Sequence, residues 1–114
     1  MAAIANLRID QGATFTSDVT VTDSNGDAFD LTGYTASAKM AKGYASTRTR
    51  TSITTTINSD PTTGIIQLSL TADQTNTLDA PARYVYDVEI TQTSDSTITR
   101  VIEGIITVSP SVTI

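Results

Sequence analysis

The sequence predicts an all-β fold: a single antiparallel β-sandwich of about seven strands, with one short helix near residues 72–79. Three observations lead there. Apolar and polar residues alternate with a period of two over most of the chain. Threonine makes up about a fifth of the residues, and β-branched side chains suit a pleated surface. Turn-forming clusters recur at short, regular spacing. The chain has 114 residues, the size of one domain. Residues 1–9 read as an N-terminal arm or edge strand and 10–114 as the sandwich domain.

The elements follow in order. Segment 3–9 is a weak apolar run. In 13–22, Ala13, Phe15, Ser17, Val19 and Val21 share one face and the intervening Thr and Asp residues share the other. Asn25-Gly26 is a turn signal, because both residues tolerate positive φ. A second turn, Asp30–Gly33, precedes a strand with Tyr34, Ala36, Ala38 and Met40 on one face. Residues 42–50 break the alternation and read as a loop. Ile53, Thr55 and Ile57 restore it. Asp60-Pro61 through Gly64 turns the chain into a strand at 65–70. Thr71 and Gln74 have the spacing of a capping box, with Asp73 in the first turn, and Pro81 limits the helix to a turn or two. Strands at 83–92 and 97–108 complete the set, with Gly104 marking a bulge or a close backbone approach.

Composition excludes several functions. The net charge is −5, which opposes binding to nucleic-acid phosphates or to an anionic membrane surface. No run is long enough to span a bilayer as a helix. The first residues lack the pattern of a secretory leader. Cysteine and histidine are both absent, which removes thiol nucleophiles, the usual general base and the usual zinc ligands. The lack of cysteine fits a reducing compartment or a particle assembled in one. No catalytic residue, cofactor or metal is expected, and the chain reads as non-enzymatic.

Some residues still invite a functional reading. Lys39, Lys42, Arg48 and Arg50 are four of only seven bases, with no acid between 39 and 50. Together with Tyr44, the residues Lys42, Arg48 and Arg50 make a candidate contact loop for an acidic neighbour, or else a solvated loop. Ile4 and Leu7 near one end, with Val112 and Ile114 near the other, are candidate edge contacts, because exposed β-branched edges invite strand pairing. Tyr34, Tyr84 and Tyr86 form either a sugar-binding platform or core aromatics with hydroxyls at a rim. The acids from Asp23 to Asp30 are turn formers, or oxygen ligands for a cation without the spacing of an EF-hand.

Six phrases carry a resemblance: Gly26–Thr35 (GDAFDLTGYT), Asp60–Gly64 (DPTTG) leading into Leu68–Thr75 (LSLTADQT), Arg83–Ile90 (RYVYDVEI), and Val101–Gly104 with Val108–Pro110. In this order, over residues 10–110, they resemble small structural proteins of tailed-bacteriophage virions. They are similar to the N-terminal β-sandwich domain of baseplate upper proteins and tail-fibre attachment proteins. The resemblance implies an Ig-like or jelly-roll-like module that is non-enzymatic. It implies a location in the virion, after assembly in the host cytoplasm. The implied partners are other virion proteins and further copies of this chain on a symmetric particle. Tail, baseplate and neck all fit. The alternatives are a head-surface decoration protein and a carbohydrate- or receptor-binding adhesion module.

Overall fold

The computed structural model describes residues 3–43 and 50–112. The fold is all-β. Its strands are β1 (Ala3–Ile4), β2 (Leu7–Asp10), β3 (Phe15–Thr20), β4 (Tyr34–Ala41), β5 (Thr51–Ile57), β6 (Ile65–Leu70), β7 (Ala82–Gln92) and β8 (Ile98–Ser109). They form one sheet in the order β1-β8-β7-β4-β5-β6-β3, with β2 also on β8. The sheet curls into a half-barrel rather than dividing into two separate leaves. The corner is β5, which pairs with β4 through Thr51–Ile53 and with β6 through Thr54–Ile57.

The expected antiparallel arrangement holds from β3 to β8 but not at the start of the chain. Both β1 and β2 run parallel to β8, with Ala3 opposite Ile102 and Ile9 opposite Val108. Most of the chain separates these partners in sequence, so no local turn dictates their direction.

Period-two burial builds the core. Tyr84, Tyr86, Val88 and Ile90 of β7 point inward and are buried. They meet Ile66, Leu68 and Leu70 of β6 and Ile102, Ile106 and Val108 of β8 in one apolar cluster. At about 25 cal/mol per Å² of apolar surface, each fully buried Leu or Ile favours folding by about 1.5–3 kcal/mol. The expected bulge lies at Val101, not at Gly104. Val88 pairs with Ile102 and Glu89 with Arg100, leaving Val101 as the extra residue. Gly104 is instead the close approach: a Cβ there would lie 2.1 Å from the carbonyl oxygen of Ala5.

The short helix α1 spans Ala72–Asn76 and ends before residue 79. Thr71 accepts from the Gln74 N–H, and the Gln74 side chain accepts from the Thr71 N–H, completing the capping box. Thr77 caps the C-terminus of the helix, and Leu78, 4% exposed, follows into the core. Thr75 is fully buried. Its hydroxyl donates to the carbonyls of Ala13 and Ala72 and accepts from the Gly12 N–H at 3.1 Å, so α1 is tied to the β2–β3 turn. A 3-10 turn at Pro61–Thr63, capped by Asp60, ends at Gly64 with φ +70°. A Cβ on Gly64 would come within 2.6 Å of the Val21 carbonyl.

Candidate functional site

The strand register distributes the bases picked out by the sequence. On the outer face of the sheet, Lys39 sits opposite Asp87 across β4 and β7, and Asp87 sits opposite Glu103 across β7 and β8. Arg100 reaches both acids, at 3.3 Å to Asp87 and 3.5 Å to Glu103. Arg50 lines a shallow depression of about 300 Å³ with Ser37, Lys39, Asp87 and Glu89. The Lys42 ammonium donates to the carboxylate of Asp79, just past α1. Tyr44 and Arg48 lie outside the described residues. The bases that are described therefore stand among acids of the same chain. The acids beside them, Asp79 for Lys42 and Asp87 for Lys39, are 37 and 48 residues away in sequence, so no local pattern reveals the match.

The tyrosines do not form a platform. Tyr84 and Tyr86 are 7% and 3% exposed. The Asp79 N–H donates to the Tyr84 hydroxyl at 2.9 Å. The Tyr86 hydroxyl donates to the Ala5 carbonyl at 2.5 Å. Burial pushes the pKa of Tyr86 up to about 12. Tyr34 alone of the three is half-exposed, and it stands edge-on to Phe29 with ring centres 5.4 Å apart.

The acids of the turns are occupied with backbone bonds. One carboxylate oxygen of Asp23 accepts from the N–H groups of Asn25 and Asp27. Asp30 accepts from the N–H and hydroxyl of Thr32, and Asp60 accepts likewise from Thr62. Asp95 accepts from the Thr97 N–H. An Asp two residues before a Thr thus closes three separate turns. The bonds from Thr32 and Thr97 hold the carboxyls of Asp30 and Asp95 below the ordinary aspartate range. Among the described residues, no group of three metal-ligating side chains converges, at the 23–30 turn or elsewhere.

The edges remain. Among the described residues, β3 pairs with β6 alone, and β1 and β2 pair with β8 alone. These two unpaired edges are the lips of the half-barrel. A groove of about 240 Å³ lies between Leu7, Arg8 and Asp10 of β2 and residues 13–17. At the other end a cleft of about 710 Å³ opens between Ala3 and Val101 on one side and Val21 and Thr22 on the other. Phe29, Tyr34 and Ile90 also line it. Of the candidate contacts, Ile4 is 75% and Val112 98% exposed. Leu7 is half-buried against the core, and Ile114 lies outside the described residues. Ile98 at 63% and Ile105 at 41% are exposed as well. The bulge at Val101 takes Ile98 out of phase with the buried Ile102, whereas Ile105 faces outward in plain alternation with the buried Ile106.

No protein-family model and no curated protein matches this sequence.

Proposed function

We propose that this chain is a non-enzymatic structural module of a tailed-phage virion, holding other virion proteins through its sheet edges. The observation that carries this reading is the pair of unpaired edges, one of them bearing the exposed Ile4 of β1. A sheet edge with free backbone groups is a template for pairing with another chain. The ordered phrases between residues 26 and 110 support the phage assignment. Carboxylates engaged in turn bonds, and the absence of histidine and cysteine from the sequence, support a role without catalysis. A net charge of −5 favours protein partners over nucleic acid. In this role the module is present in several copies on a symmetric particle, at the tail, baseplate or neck, or as a decoration of the head surface. Mass spectrometry of purified particles tests it. A fixed copy number per virion is expected, and a chain found in infected-cell lysate but never in particles would overturn the reading.

The adhesion alternative has one observation in its favour, the cleft beside Phe29 and Tyr34. A glycan array decides it. Binding that disappears in Tyr34→Ala would favour adhesion, and a blank array would favour the structural role.

A further inference from the structure

We infer that Asn25 is a self-modification site, where the Gly26 nitrogen attacks the Asn25 carboxamide and converts it to aspartate and isoaspartate. The inference goes beyond the structural-module reading and does not depend on it.

The reaction is a ring closure followed by hydrolysis. The main-chain nitrogen of Gly26 bonds to Cγ of Asn25 and the Cγ–Nδ2 bond breaks. Ammonia leaves, carrying the proton of the Gly26 N–H, and a cyclic imide remains. Water then opens the imide at either carbonyl. Opening at Cγ gives aspartate on the ordinary backbone, and opening at the main-chain carbon gives isoaspartate. In sum, asparagine and water give a carboxylic acid and ammonia, with no oxidant or reductant.

The structure singles out Asn25 for this chemistry. A side chain on the following residue obstructs ring closure, and glycine has none. Nothing lies within 4 Å of where a Cβ on Gly26 would be, so the approach is open. Residues 22–28 are exposed, so water reaches the ring. Among the described residues the Asn25 carboxamide has no hydrogen-bond partner to hold it back. Each of the other three asparagines precedes a residue with a side chain. Asn6 accepts from the Ile105 N–H and precedes Leu7, and Asn58 accepts from the Asp60 N–H and precedes Ser59. Asn76 ends α1, before Thr77.

Asp23 sets the rate as a positioning residue. The Gly26 N–H donates to the Asp23 carbonyl at 3.0 Å, so the turn must open before the nitrogen can attack. The Asp23 carboxylate holds the turn shut by accepting from the N–H groups of Asn25 and Asp27. Bonds of an exposed turn open at little cost, so the closed turn slows the reaction without preventing it.

The product alters one wall of the cleft beside Phe29 and Tyr34, which Val21, Thr22, Asp23 and Ser24 line. Isoaspartate runs the main chain through one extra carbon. That breaks the register of the 2.8 Å bond from the Asp23 N–H to the Asp27 carbonyl and of the bridge from Thr22 to Ala28. Either product also sets a new carboxylate between Asp23 and Asp27.

The test holds the full chain in warm, mildly alkaline buffer and then digests it with trypsin. Cleavage places Asn25 in peptide 9–39, apart from Asn6 in 1–8 and from Asn58 and Asn76 in 51–83. Peptide 9–39 should gain the mass of an amide-to-acid exchange and accept methyl groups from an isoaspartyl methyltransferase, while the other two stay unchanged. Asp23→Ala should convert about fivefold faster, the ratio given by the loss of one ordinary hydrogen bond. In the aged protein the Phe29 N–H, which donates to the Val21 carbonyl, should exchange with deuterium faster than in Asn25→Asp, which has the charge without the extra carbon. If Asp23→Ala fails to fold, folded and urea-unfolded wild type still decide. A folded chain that stays intact while the unfolded chain converts would overturn the inference. So would equal conversion of peptide 51–83, or a folded Asp23→Ala that converts no faster than wild type.

Discussion

Tyr86 and Gly104 are directly opposed in the β7–β8 ladder, and the glycine's missing side chain lets the tyrosine reach the N-terminal segment. The Ala5 carbonyl lies where a Cβ on Gly104 would be and accepts the Tyr86 hydroxyl at 2.5 Å. Asn6 completes the join by accepting from the Ile105 N–H. A tyrosine, a glycine and a stretch of backbone from three parts of the chain thus fix how β1 and β2 dock.

Gly104→Ala is expected to cost about 1–3 kcal/mol, because the added carbon must displace backbone rather than a flexible side-chain tip. The loss should appear as a lower urea midpoint. Limited proteolysis should show earlier cleavage between residues 3 and 10 than in the wild type. Unchanged stability would mean that the Ala5–Asn6 segment moves aside freely.

Tyr86 predicts an alkaline limit. Its native pKa is raised to about 12, above the ordinary value near 10. Folding therefore favours the protonated form. That contribution is complete below about pH 10 and is lost as pH rises through about 12. Near-UV absorbance of tyrosinate should show one tyrosine titrating late, and Tyr86→Phe should remove that step. Because the Ala5 carbonyl then loses its donor, Tyr86→Phe should also destabilise by about 1–3 kcal/mol.

Thr75→Val keeps the shape of a fully buried side chain and removes its hydroxyl. The Ala13 carbonyl and the Gly12 N–H both lose their partner. The expected cost is about 1–3 kcal/mol, measured by chemical denaturation. Thr77→Val is the control: its hydroxyl donates to the Gln74 carbonyl at an exposed position, and a much smaller change is expected.

Asp30 and Asp95 predict part of the acid limb. Both carboxyls are held below their ordinary range by bonds from Thr32 and Thr97. Their contribution is present above the unfolded aspartate pKa, near pH 4, and is lost as pH falls through the lower native values. Both groups are exposed, so each effect is small and screened by salt. The double variant Asp30→Asn with Asp95→Asn should show a flatter loss of stability below about pH 4 than the wild type.

Much of the fold is legible in local pattern, since burial on one sheet face requires a period of two. The strands at 34–41, 65–70 and 82–92 stand where their alternation ends at turn residues. The capping box at Thr71 is equally local, because both of its bonds lie within four residues. The candidate contacts are legible only in part. Exposure of Ile4 and Val112 follows their position near the ends of the described chain, but the burial of Tyr84 and Tyr86 depends on which face of β7 meets β6 and β8. The balance of Lys42 by Asp79, and of Lys39 by Asp87, needs the register between distant strands.

The sequence by itself determined the all-β class, the strand phases and the turn chemistry, because these depend on neighbours a few residues apart. Tertiary structure alone decided the parallel docking of β1 and β2, the corner at β5, the bulge at Val101 and the two open edges. Each of these comes from contacts between residues far apart in the chain. Their directions and registers are chosen by the fit of whole faces, which no local window contains.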